Sequence, residues 1–279
     1  MSVHQTVTNQ IIQQLENGVM PWRRDWVSGL PTNHITKNTY NGVNIPILWC
    51  SALANGFTDN RWATYKQLQD AGLQVLKGSK GTTGVFFKSV TNIDDQGEET
   101  QYRMARAFTL FNLEQTNYQG DKPSKVDMNI DKAMDMPNSL NVGYISGEPC
   151  YIPSKDIVCM PNPTSFHTYE AFFSTLAHEC SHATGHKDRL DRNLRGRFGD
   201  DSYAMEELVA ELSAAFICAE NGIEYNNQHA SYIDHWLGVL RADSKALFAV
   251  SAKAQLASNY IKQSIELHKN ESALGKLIA

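Results

Sequence analysis

The sequence has no apolar run long enough to cross a membrane, and it opens without a cationic segment followed by an apolar stretch. Neither a spanning helix nor a secretory leader is therefore expected. Cysteine is scarce: the five residues at positions 50, 150, 159, 180 and 218 are odd in number and widely scattered. That argues against a disulfide framework and fits a reducing cytoplasm. The glycine-bearing stretch from Lys77 to Gly84 lacks the register of a P-loop, so it predicts no nucleotide cradle. Internal repeats and low-complexity tracts are missing, and 42% hydrophobic with 20% charged residues is ordinary for a globular chain. A chain of 279 residues is expected to hold two domains, each able to bury its own core.

Charge is unevenly spread. The net charge is −5, yet residues 1–90 hold eight Lys and Arg against four Asp and Glu, whereas residues 126–279 hold 13 against 20. Four of the five tryptophans (Trp22, Trp26, Trp49, Trp62) also fall in the first third. This shift, with the polar stretch from Asn117 to Ser139, places a boundary near residue 125 and divides the chain into 1–125 and 126–279. The expected class is α+β: a mixed α/β first domain, then a mainly helical second one with a small sheet. In the first, helical spacing runs from Val3 to Glu16 and stops at Asn17-Gly18, and an apolar segment spans Ile45 to Ala54. Thr64 with Gln67 makes a capping-box start for a short helix ending at Gly72. Leu73 to Val90 reads as a hairpin around the Lys-Gly loop, followed by strand character from Arg103 to Leu113.

The first domain mixes cations with aromatics. Trp22-Arg23-Arg24-Asp25-Trp26 interleaves them, Lys37 lies near Tyr40, Trp62 follows Arg61, and Lys77, Lys80 and Lys88 decorate the glycine-rich segment. Cations for phosphates and ring faces for unstacked bases are how single-stranded nucleic acid is held. The competing reading is structural, since large aromatics commonly fill a core and a Lys-Gly turn is commonly just solvated.

The chemistry-bearing motif is His178-Glu-Cys-Ser-His182, an H-E-x-x-H pattern in a run from Tyr169 to His186 that Thr168 can cap as a helix. His178 and His182 lie one turn apart on one face, so both imidazoles can reach one cation. Glu179 is set aside from that pair, where it can take a proton from an attacking water. Cys180 points away from both histidines and reads as a packing residue. The third ligand has two candidates. Glu207 lies on a predicted helix from Tyr203 to Phe216, with Glu211 one turn on; Asp188 ends an H-E-x-x-H-x-x-G-x-x-D run if the chain turns back at Gly185. Two imidazoles and a carboxylate suit several first-row ions, zinc first and manganese as the alternative. Asp156 to Pro161 reads as a strand for an extended peptide to pair with, and Tyr203 as an oxyanion donor or a packing residue. Lys187, Arg189, Arg192, Arg195 and Arg197 form a basic run just beyond, either a solvated loop or an extension of a nucleic-acid path.

The Glu207/Glu211 spacing resembles the gluzincin arrangement, which implies Glu207 on the metal and Glu211 behind a ligating imidazole, with the reverse assignment left open. A wider resemblance covers nearly the whole chain. Glu16-Asn-Gly-Val-Met-Pro-Trp22, Pro31-Thr-Asn33, Tyr40-Asn-Gly-Val-Asn44, Trp62-Ala-Thr64, Val75-Leu-Lys-Gly-Ser-Lys80 and Phe108-Thr-Leu-Phe-Asn-Leu-Glu-Gln115 resemble the N-terminal domain of ArdC-type plasmid antirestriction proteins. That domain is shared with plasmid TraC primases. His178 to His186, Arg189-Leu190 and Glu206 to Glu211 are similar to the family's zincin-like metallopeptidase domain. The resemblance implies a cytoplasmic protein that binds single-stranded DNA entering by conjugation and shields it from host restriction, with a host protein as candidate peptidase substrate. Two other readings stand beside it: a metallopeptidase whose first domain recognises protein, and a DNA-coating protein whose metal site does not cleave.

Overall fold

Ser2 starts the first helix by accepting a hydrogen bond on its hydroxyl from the amide of Gln5 (3.2 Å). In this computed structural model, which describes residues 2–22, 29–93, 99–121, 133–194, 200–225 and 232–278, α1 runs Val3–Glu16 and buries Val7, Ile11, Ile12 and Leu15 along one stripe. The apolar segment that follows is α2 (Asn44–Asn55), buried along most of its length and ended by Gly56 in the left-handed region (φ +70°). The capping box at Thr64 and Gln67 forms as expected and opens α3 (Tyr65–Asp70).

The first sheet comprises β1 (Thr32–Asn33), β2 (Arg61–Thr64), β3 (Thr82–Ile93) and β4 (Glu99–Asn112), in the order β1-β2-β4-β3. Its main feature is the long antiparallel pairing of β3 with β4, from Thr82 opposite Leu110 to Ile93 opposite Glu99. The hairpin expected within Leu73–Val90 does not form. Val75 makes only an isolated bridge with Thr116, and β3 takes its partner from downstream. The glycines give the reason. A Cβ at Gly84 would come within 2.7 Å of the Phe108 ring, so Gly84 makes room for an aromatic neighbour carried by β4. On its other edge β3 is sealed at one point: the Asn44 amide donates to the Val85 carbonyl and accepts from the Val85 N–H, both at 2.8 Å.

After the short α4 (Asp135–Ser139) come β5 (Gly143–Ser146), β6 (Cys150–Ile152) and β7 (Ile157–Met160), in the order β5-β7-β6. Then follow α5 (Tyr169–Ala183), α6 (Asp201–Glu220), α7 (Ile233–Ala242) and the long α8 (Ala246–Ile278). The class is thus α+β as expected, with a mixed first region and a mainly helical second region holding a small sheet. Two small apolar clusters lie within the first region, one around Trp62 and Leu110 and one around Leu68 and Leu113. One apolar core runs from α1 and α2 into α5–α8. Trp49 meets Phe216 edge-on at 5.8 Å between ring centroids, and Trp22 meets Trp236 at the same separation. The boundary expected at residue 125 lies outside the described residues. Among the described residues no helix is long and apolar enough to cross a membrane.

Asn44 ties α2 to the edge of β3 through two buried backbone groups. Asn44→Ala is expected to lower stability by about 2–4 kcal/mol, because the N–H and C=O of Val85 lose their partners. Denaturant unfolding of the full chain measures this, and a loss below about 0.5 kcal/mol would show that water replaces the amide at no cost.

Candidate metal centre

The Thr168 hydroxyl accepts from the Ala171 amide (3.1 Å) and starts α5, whose middle is buried. Helix α6 packs beside it closely enough for the hydroxyls of Ser181 and Ser213 to hydrogen-bond at 3.0 Å. The helical period then brings His178 and His182 from α5 against Glu207 from α6. One donor atom from each lies within 4.8 Å of the others. The Nε2 atoms of His178 and His182 are 3.2 Å apart, and each is 3.5 Å from a Glu207 carboxylate oxygen. Bonds of about 2.0–2.2 Å in tetrahedral geometry put ligand atoms roughly 3.3–3.5 Å apart, so these three donors fit one small divalent cation.

Behind each imidazole stands a second carboxylate. His182 Nδ1 is 3.3 Å from Glu206, and that carboxylate is held in turn by the Arg192 guanidinium at 2.7 and 3.0 Å. His178 Nδ1 is 3.7 Å from Glu211, whose carboxylate accepts from Tyr225 Oη (2.7 Å) and Trp22 Nε1 (3.2 Å). Glu206 is the residue that sequence reasoning missed. Its signal was the adjacent acid pair, since consecutive helical side chains point about 100° apart and can serve two different imidazoles. Burial alone would lower the pKa of His182, but its bonds to Glu206 and Glu207 outweigh this and push it up to about 10. For Glu207 burial works upward, and the bonds to His178 and His182 win, holding the carboxyl well below the usual range.

The cluster lines a cavity of about 310 Å³ together with Glu179, Cys150, Tyr151, Tyr203 and Tyr232. The Tyr203 and Tyr232 hydroxyls are 3.2 Å apart, and burial, the Tyr232 bond and Glu207 all raise the Tyr203 phenol. Several expected members lie elsewhere. Asp188 has a side chain 73% exposed, is 3.4 Å from His186 Nδ1, and stands outside the three-donor cluster. The strand within Asp156–Pro161 is β7, the middle strand of its sheet, so its edges are already paired and no peptide can add to it. Among the described residues β6 has no strand paired on its outer edge, and its Cys150 and Tyr151 line the cavity. Cys180 is fully buried in α5, as expected for a packing residue. Gly185 follows the helix end with φ outside the left-handed region. An added Cβ there would meet Leu194 at 2.8 Å and Arg192 at 3.1 Å, so the constraint is close approach.

The basic run is also corrected. Arg192 donates to Thr184 Oγ1 and the Ser181 carbonyl at 2.7 Å, and Arg189 pairs with Asp156 and caps the Ala183 carbonyl. Both guanidiniums clamp the chain after α5 and are not offered to phosphate. Lys187 is exposed, and Arg195 and Arg197 lie outside the described residues. In the first region Trp22 and Trp62 are 2% and 1% exposed, so neither ring face is open to a base. Arg23, Arg24 and Trp26 lie outside the described residues. Lys37 is exposed with its amine turned onto the His34 carbonyl, and Tyr40 is half-buried with its hydroxyl 3.0 Å from the Asn33 amide. Lys77, Lys80 and Lys88 are exposed. Among the described residues the exposed rings of the first region are ones the sequence did not single out: Tyr65, Phe87 and Phe86, the last 48% exposed, opposite Arg106 on β4 and on the same strand face as Lys88.

Comparison with known proteins matches this architecture. The N-terminal domain of anti-restriction factor ArdC matches residues 1–111, and a zincin-like metallopeptidase domain matches residues 135–253. The crystal structure of antirestriction ArdC protein from the R388 plasmid, metal-free, superposes with a TM-score of 0.84 at 32% identity, over 95% of this chain and 98% of that one. The chain belongs to the ArdC antirestriction family. The Mn(II)-bound structure of the same ArdC superposes at 0.81 with 30% identity. An uncharacterised protein, y4eC, from Sinorhizobium fredii is 36% identical over 96% of this chain and 94% of its own length. DNA primase TraC of Escherichia coli is 31% identical over 92% of this chain, which spans only 20% of that primase.

A cation taken up here must displace the proton on His182, so affinity should rise with pH while the pH stays below the imidazole's raised pKa. About one proton is expected to leave per ion near pH 7.5, a gain of roughly tenfold in affinity per pH unit. Calorimetry of Zn(II) or Mn(II) binding in buffers of different ionisation enthalpy reads this directly. Uptake without proton release would refute the charge state assigned to His182.

Proposed function

We propose that this ArdC-family chain binds single-stranded DNA during plasmid transfer and shields it from restriction, and that its metal centre cleaves a peptide bond in a host protein. The observation that carries the proposal is the cluster of His178, His182 and Glu207 lining one cavity with Glu179, an acid that is not one of the three donors. The two imidazoles and carboxylate would hold a divalent first-row ion. Zinc suits that donor set, and the Mn(II) held by the R388 relative makes manganese the alternative. When bound, the ion supplies Lewis acidity toward a peptide carbonyl. Glu179 accepts the proton of the attacking water and passes it to the leaving amine nitrogen. Tyr203, with its hydroxyl steadied by Tyr232, donates to the developing oxyanion. An extended substrate adds to the outer edge of β6, whose Cys150 and Tyr151 line the same cavity.

For DNA, support comes from the exposed face of the β3–β4 hairpin. There Phe86 lies edge-on to Phe108 at 6.0 Å, with Arg106 directly across and Lys88 two residues along. Rings for bases and cations for phosphates occupy one surface, with Lys77 and Lys80 on the approach to β3. The five cysteines are all free, in keeping with a cytoplasmic site of action.

Glu179→Gln is expected to keep metal stoichiometry and lose at least about 100-fold in cleavage of a mixed-sequence peptide library read by mass spectrometry. Undiminished cleavage sinks the catalytic assignment. Phe86→Ala should weaken binding of a fluorescent oligodeoxythymidine about 5- to 150-fold in anisotropy titrations at fixed salt, the worth of one stacked base. Unchanged affinity removes this hairpin face from the proposal, and failure of the unaltered chain to bind at low salt removes DNA itself.

A further inference from the structure

The metal-centre residues come from α5 and α6, yet one group that braces them comes from the other end of the chain. Trp22 follows α1, 189 positions before Glu211, and donates its indole N–H to Glu211 Oε1 at 3.2 Å. The other oxygen of that carboxylate, Oε2, accepts from Tyr225 Oη at 2.7 Å and faces His178 Nδ1 at 3.7 Å. Glu211 is fully buried, and the Trp22 ring is locked edge-on against Trp236. A carboxylate engaged at both oxygens by fixed donors cannot rotate. Its Oε2 is thereby fixed 3.7 Å from His178 Nδ1, a polar neighbour beyond hydrogen-bond distance, while His178 Nε2 faces His182 and Glu207.

We propose that Trp22 is a positioning residue of the metal centre, so that the N-terminal region completes a site otherwise built by the zincin-like region. The inference rests on the metal-centre reading above. Groups standing behind a ligating imidazole orient it and tune its basicity, and losing such a partner typically weakens metal binding about 10- to 100-fold. A tryptophan that only filled the core would act on stability alone. Its indole N–H would need a partner, but that partner would have no bearing on the affinity of the folded protein for an ion.

The test uses the full chain. Zn(II) affinity is measured by competition with a chelating dye at fixed pH for the unaltered protein, Trp22→Phe, Glu211→Gln and the double variant, with thermal unfolding of each metal-free protein alongside. Trp22→Phe is expected to bind Zn(II) about 10- to 100-fold more weakly while folded, and the double variant to bind no more weakly than Glu211→Gln alone. Unchanged affinity in folded Trp22→Phe, or losses that simply add, overturn the inference. Absence of both Zn(II) and Mn(II) binding by the unaltered protein overturns the metal-centre reading, which is a distinguishable failure. Should Trp22→Phe not fold, the chain labelled with ¹⁵N at tryptophan gives the second reading. The indole N–H resonance that moves in Glu211→Gln should also move when the unaltered protein is saturated with Zn(II), and a resonance indifferent to the ion overturns the inference.

Discussion

Helix α6 carries three acids, Glu206, Glu207 and Glu211, into the protein interior, where side chains from α5, the loop after it and the first region meet them. A buried carboxylate is tolerated only where charge or hydrogen bonds replace the water it has lost. Each of the three has its own answer. Glu207 faces both imidazoles, Glu206 takes the Arg192 guanidinium and His182, and Glu211 takes Tyr225 and Trp22. The loop after α5 turns back so that Arg192 can reach Glu206 while bonding Thr184 and the Ser181 carbonyl. Gly185 is bare of a side chain because that loop passes directly over it.

The same requirement joins the two regions. With Glu211 satisfied from Trp22, and with Trp49 against Phe216, the first two helices are part of the scaffold of the metal centre. The β3–β4 hairpin is the part of the first region left to act outward. One point of its edge is closed by Asn44, while Phe86 and Lys88 look into solvent. A shared core thus carries two separate surfaces, a cavity lined by His178, His182 and Glu207 and an aromatic, basic sheet face.

Much of this was legible in the sequence, and the places where it was not have identifiable causes. Helix α1, the capping box at Thr64 and the capped helix from Thr168 follow from interactions spanning three or four residues, so the local pattern suffices. Gly78 and Gly81 mimic a turn signal, so the local pattern predicts a hairpin where none forms. The true partner of β3 was chosen by Phe108 lying over Gly84, a contact between positions far apart in the chain. Composition shows Trp22 and Trp62 near cations in the chain without showing that both rings face inward. The basic run after α5 misled for the same reason, since Arg189 and Arg192 spend their charge on Asp156 and Glu206.

By itself the sequence determined what one helical turn can hold: His178 and His182 on one face, Glu179 off to the side, Glu207 and Glu211 stacked, and an α+β chain with a basic first third. The helical period is a local property and survives without knowledge of the rest of the fold. Only the tertiary structure decided which acid meets the imidazoles, that Asp188 stays in solvent, that Glu206 stands behind His182, and that a tryptophan from the N-terminal region reaches Glu211. Those outcomes depend on how α5, α6 and the first region pack against one another. Packing is set by the burial of surfaces far apart in the chain, and no short-range pattern encodes it.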